Sequence, residues 1–212
     1  ATNNTSNISM KLYTDFVYLD TKERRRFAEM KHEYLIEQVQ HNGPAVASDN
    51  IQPLNFDHPI KELIWVFRKS DAEKLNFNQE GTDKFPIISS SSDAYKGWEN
   101  DKNEWFNTMK LQMNGQDRFY DRDATYFRLV HPYQHHSRIS MKQKIYSYSF
   151  ALLPESHQPT GSCNFSRLDN ASMIFTDSSS SLRTSSDELL VYAVGYNVLR
   201  IMAGMAGLAY SN

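Results

Sequence analysis

The chain has 212 residues, 40% of them hydrophobic and 13% aromatic against 23% charged, which is ample apolar material for a core and excludes wholesale disorder. Lysine plus arginine number 23 and aspartate plus glutamate 25, a net charge of −2, so no global basic field exists to hold nucleic acid through many phosphates. The single cysteine, Cys163, excludes an internal disulfide framework and any multi-cysteine zinc module.

The chain begins Ala-Thr-Asn-Asn, without an initiator Met or a signal-peptide pattern, and reads as cut from a longer polypeptide. Residues 1–9 are polar and aperiodic, the composition of a linker or arm, and one domain is expected over 10–212. MKLYTDFVYL, from Met10 to Leu19, is rich in aromatic and β-branched residues and predicts a strand buried on most of its surface. Asp20 followed by Glu23 has capping-box spacing and predicts a short helix through KERRRFAEMK, with Phe27 and Met30 as its buried face. HEYLIEQVQ returns to period two, Leu35 and Val39 opposite Tyr34 and Ile36, and HNGP at 41–44 is expected to close that strand as a turn. A core strand is expected in IKELIWVFR, where Leu63, Trp65 and Phe67 alternate with Ile64 and Val66.

Residues 69–105 carry a serine run and the aromatics Phe77, Phe85, Tyr95, Trp98 and Trp105 without a sustained period. A connection this long is usually functional or interfacial, which makes Trp98 and Trp105 candidate interface residues; packing onto their own domain is the competing reading. Asn114-Gly115, between MKLQM and QDRF, predicts a type I′ hairpin. DRDATYFRLV predicts a turn or two of helix stopped near Pro132. In IYSYSFALLP, Tyr146, Tyr148, Phe150 and Leu152 form one face of a strand, and Ser147, Ser149 and Ala151 a small opposite face. A turn-rich stretch then leads to a strand in ASMIFTD, a serine-rich loop at 178–186 and final strands within 188–212. Asn197 and Arg200 interrupt the apolar run from Leu189 to Tyr210, which argues against a transmembrane segment there. Short strands joined by turns and a few long loops imply an all-β fold, an eight-stranded antiparallel jelly-roll sandwich with short helices in the connections.

Candidate chemistry is thin. His32-Glu33 begins like a zinc-protease motif, but Ile36 stands where the second histidine is needed. His131, His135 and His136 are the metal candidates. Against them, Pro132 is expected to disturb the helical spacing that aligns His131 with His135, and adjacent histidines in a strand point to opposite faces. Cys163 with His157 as base would be a nucleophile pair, though an isolated cysteine is usually a small buried hydrophobe. Arg24, Arg25 and Arg26 are flanked by Asp20, Glu23 and Glu29, the pattern of a solvated helix face. Glycosylation sequons at Asn3, Asn4, Asn7, Asn164 and Asn170 matter only in a secretory compartment. No nucleophile elbow, phosphate loop or dinucleotide fingerprint occurs. No cofactor and no catalytic residue is assigned.

Several separated blocks carry a resemblance: DFVYLDTKERRRFA at 15–28, HPIKELIWVFR at 58–68, LQMNGQDRF at 111–119, HPYQHH at 131–136, YSYSFALLPESHQPTGSCNFSRLDNA at 146–171 and YNVLRIMAGMAGLAYSN at 196–212. They resemble the C-terminal jelly roll of the major capsid proteins of nucleocytoplasmic large DNA viruses. The resemblance implies a structural, late protein of the virion, assembled in the host cytoplasm, in which three copies of a double jelly roll make a pseudo-hexameric capsomer of an icosahedral shell. Its implied partners are further copies of itself, an N-terminal jelly roll on the same polypeptide and minor capsid proteins, without direct contact to nucleic acid. Two other readings stand beside it, a metal-dependent jelly-roll enzyme using the three histidines and a carbohydrate-binding sandwich with aromatic platforms.

Overall fold

The computed structural model describes residues 11–47, 49–68, 104–139, 144–176 and 187–210. Its described strands form two antiparallel sheets. The first has the order β1 (His32–Val46), β10 (Glu188–Met202), β3 (Pro59–Arg68), β7 (Ile145–Ser149), with β11 (Met205–Leu208) paired to β10 and β8 (Cys163–Asn164) to β3. The second has the order β2 (Ile51–Pro53), β9 (Ala171–Thr176), β4 (Thr108–Met113), β5 (Gln116–Asp117), with β6 (Arg122–Asp123) also on β4. The all-β sandwich is as the sequence implied, although eleven strand segments stand among the described residues where eight were expected, because β2, β5, β6 and β8 are too short to leave a periodic signature.

Alternation selects the core. Leu63, Trp65 and Phe67 of β3 and Leu189, Val191 and Ala193 of β10 point inward from the first sheet, and Val191 stands in register between Asn42 of β1 and Trp65 of β3. Met109, Leu111, Met173 and Phe175 face them from the second sheet. Between the layers, Phe106 packs against Tyr146 at 4.9 Å and Phe175 at 5.0 Å, and Trp65 against Phe127 at 5.4 Å between ring centroids.

β10 is the spine of the first sheet, bonded to β1 along nearly its whole length and to β3 as far as Gly195. The β3 pairing shifts register between Val194 and Gly195, and a Cβ added at Gly195 would lie 2.6 Å from the Pro59 carbonyl oxygen. Backbone on backbone leaves no side chain to swing aside. Gly195→Ala is therefore expected to destabilise by about 1–3 kcal/mol in chemical denaturation; an unchanged midpoint would show that the bulge relaxes freely.

Local predictions hold where the chemistry is local. Asp20 caps α1 (Thr21–Glu29), its Oδ1 accepting the Glu23 N–H at 2.7 Å. Asn114 and Gly115 have φ of 50° and 78°, the left-handed pair that a type I′ hairpin between β4 and β5 requires. Ala203 and Gly204 repeat that pair between β10 and β11.

Other expectations are corrected. Residues 11–20 form no strand and are exposed, because no strand of this chain pairs with them among the described residues. Phe27 and Met30 are likewise exposed, since α1 buries no residue. HNGP does not close β1: the strand continues to Val46 through an irregularity between Asn42 and Ala45, where an edge position tolerates the missing N–H of Pro44. The helix does not stop at Pro132. A π-turn at Tyr126–Val130 runs directly into α2 (His131–His135), with the His131 N–H bonded to the Tyr126 carbonyl, and Pro132 occupies the first turn of α2, where its missing N–H costs little. β7 ends at Ser149, so Leu152 does not continue its aromatic face and lies exposed in the following loop.

Candidate functional site

The continuous helix through Pro132 brings the first two metal candidates together after all. The rings of His131 and His135 stack at 4.4 Å with 24° between planes. Stacked rings hold their nitrogens in parallel rather than aiming them at one point, and one nitrogen of each histidine is engaged by another group. His135 Nδ1 donates to the Leu152 carbonyl at 2.9 Å, and His136 Nε2 donates to Glu62 Oε2 at 2.8 Å. His131 Nε2 lies 3.4 Å from the Ser149 N–H, and its buried Nδ1 has no hydrogen-bond partner. Among the described residues no group of three or more His, Cys, Asp or Glu side chains is placed to hold a metal ion. The cluster ties α2 to the edge of the first sheet.

That clasp is sensitive to acid. Burial, and then the neighbouring charges of His135 and His136, lower His131 from 6.5 to about 4, whereas the hydrogen bond to Glu62 raises His136. The folded state refuses a proton at His131 that the unfolded chain accepts below pH 6.5, so His131 removes stability as pH falls from 6.5 towards 4, by about 3 kcal/mol at most. His136 works in the opposite sense: its contribution is full below 6.5 and is lost as pH rises through its raised folded value. His131→Gln keeps an acceptor for Ser149 and removes the titration. Urea midpoints at pH 7 and 4.5 are expected to lie closer together in this variant than in the parent; an equal spread would assign the acid loss to other groups.

The remaining candidates resolve individually. Trp105 is 0% exposed in the single chain and stacks on Phe67 at 5.3 Å, which favours the competing reading that it packs onto its own domain. Trp98 lies outside the described residues. Cys163 is half-buried in β8, and burial pushes its thiol up, opposite to the shift that makes a nucleophile. His157 is exposed in the loop after β7. Arg24, Arg25 and Arg26 lie on the solvated surface of α1. The Asn164 side chain accepts the Ser166 N–H at 3.1 Å and caps a turn of 3-10 helix.

Sequence reasoning missed two internal ionic clusters. Glu104 accepts from Arg128 at 2.7 Å and from the Tyr146 hydroxyl at 2.7 Å, all three buried, and burial beside that carboxylate drives the Tyr146 phenol well above its ordinary value. On the face of the first sheet turned away from the core, buried Lys61 donates to Glu37 at 2.6 Å and to the Pro154 carbonyl at 2.7 Å. Beside this polar network the same face is apolar: Leu35 pairs with Val198 and Val39 with Val194, and Leu35 and Val39 are exposed.

A sandwich with no assembled catalytic group among the described residues and with apolar side chains outside its core calls for comparison with structural proteins. The model of the family described as large eukaryotic DNA virus major capsid protein matches residues 23–207. The chain belongs to this family. The major capsid protein of Pyramimonas orientalis virus is 42% identical over 96% of this chain and 49% of the relative, and that of Paramecium bursaria Chlorella virus 1 is 37% identical over 96% and 54%. The quasi-atomic model of the PBCV-1 virus capsid matches with a TM-score of 0.70 at 36% identity, covering 92% of this chain and 55% of that one. The Faustovirus major capsid protein, at 17% identity and a TM-score of 0.52, shares the fold. The chain spans about half the length of the relatives it matches. Proteins of the large eukaryotic DNA virus major capsid family are structural rather than enzymatic, and this sandwich is a jelly roll of such a capsid protein. No helix among the described residues is long and apolar enough to cross a membrane.

Proposed function

We propose that this jelly roll is one of two in a subunit, three copies of which form a pseudo-hexameric capsomer tiling an icosahedral virion shell assembled in the host cytoplasm. Two similar sandwiches per subunit give a trimer six similar lobes, the outline that packs hexagonally. Relatives about twice as long as this chain support the doubling. The observation that carries the assembly reading is the apolar surface outside the sandwich. Leu35 and Val39 stand exposed beside Val198 and Val194 on either side of the Lys61–Glu37 pair, and apolar side chains exposed together on a sheet face mark a contact with another body. Its neighbours would be the companion jelly roll, further copies and minor capsid proteins. The almost balanced charge gives no reason to expect direct DNA contact.

The test is the mass of the complete subunit by light scattering under native conditions. Three subunits per particle supports the capsomer; a monomer at all concentrations contradicts it. Val39→Asp, on the exposed face of an edge strand, is expected to weaken assembly while leaving the fold intact by circular dichroism. Full assembly by this variant would remove β1 from the contact.

A further inference from the structure

Lys11 to Asp20 reads as a strand and behaves as none. Leu12, Thr14, Phe16 and Tyr18 alternate with Tyr13, Asp15, Val17 and Leu19, so both faces are mainly apolar, the pattern of a strand covered on two sides. Yet Leu12, Tyr13, Phe16, Val17 and Tyr18 are 76–92% exposed, and no strand of this chain pairs with the segment among the described residues. Asp20 then ends it as a helix cap, and α1 separates it from β1 without burying a residue of its own.

We propose that Lys11–Asp20 is a strand of the companion jelly roll, hydrogen-bonded into a sheet of that domain, and that α1 is the connector between the two sandwiches. This rests on the reading of the subunit as a double jelly roll. Three observations select the companion domain over a second copy as the acceptor. The segment comes before the connector in chain order. The family match begins at residue 23, so it excludes the segment and includes the sandwich that follows. The relatives carry about as much chain again as the length matched here, enough for a sandwich with a place for this strand. Apolar residues on both faces place it inside that domain's packing rather than along a solvated edge. The domain boundary then falls within 21–31, and the block expected to open this jelly roll at residue 10 belongs to its neighbour.

Hydrogen exchange followed by mass spectrometry tests this on the complete subunit and on the 212-residue chain. In the complete subunit the amides of 12–19 are expected to exchange at least about a hundredfold more slowly than in the shorter chain, where they should exchange as unstructured peptide at every concentration. Fast exchange in both would overturn the proposal, as would protection in the shorter chain that grows with its concentration, the mark of strand exchange between copies. Phe16→Asp in the complete subunit should speed exchange in the companion domain and leave β3, β9 and β10 unchanged; the reverse pattern also overturns it. Light scattering on the same samples separates the two readings: a monomer with a protected segment defeats the trimer alone, and a trimer with an unprotected segment defeats the strand alone.

Discussion

Glu104→Ala is expected to lower the unfolding free energy by about 3–5 kcal/mol, the cost of stripping one partner from a buried ion pair. The carboxylate accepts from Arg128 on one oxygen and from the Tyr146 hydroxyl on the other, and all three side chains lie inside the sandwich. Its loss takes one carboxylate from a buried guanidinium and the acceptor from the Tyr146 phenol. The size of the effect comes from that desolvated charge more than from the two lost bonds. Replacing Glu104 and Arg128 together by apolar residues of similar volume should therefore recover much of the deficit, since well-packed hydrophobes often match a buried pair. Urea denaturation of the single and double variants measures both values. A single-variant loss below about 1 kcal/mol would mean that water reaches the pair.

Trp105→Ala should cost about 3–5 kcal/mol of stability, the range for emptying a large aromatic site in a packed core. The indole is wholly enclosed, stacked on Phe67, which itself meets Phe106, Tyr146 and Phe175. A cavity there opens beside Phe67, whose contacts with Tyr146 and Phe175 join both sheets, so the site cannot collapse by moving a single strand. Trp105→Phe should retain a larger part of the stability. The decisive comparison is between denaturation of the isolated chain and assembly of the complete subunit. A core residue weakens the first in the absence of any partner, whereas an interface residue would leave it unchanged.

What could be seen in the sequence follows the range of each interaction. The Asp20 cap and the Asn114-Gly115 turn were legible because three or four adjacent residues determine them, and β3 was legible because Leu63, Trp65 and Phe67 alternate with side chains that face outward. Trp105 was not, because neighbours in sequence do not reveal whether an aromatic meets its own core or another subunit. The pair of Glu104 and Arg128 joins residues 24 positions apart, with no local signature at either end. At Pro132 the π-turn ahead of the residue puts it at a helix start, where the penalty for proline inside a helix does not apply, and no local signal in the sequence marks that turn. The segment 11–20 alternates as a strand does yet forms none here, because alternation does not specify which sheet, if any, supplies the pairing partner. Recognition of the family came from blocks of residues and not from physical patterning, which alone reached no further than a β-sandwich without catalytic machinery.

Cryo-electron microscopy of intact particles tests whether this sandwich is a repeating element of a viral shell. The prediction is a shell density in which this fold, with Trp65 and Trp105 enclosed between its sheets, fits three times per capsomer beside three copies of a companion sandwich. A shell built entirely from density that does not accommodate the two sheets would contradict it.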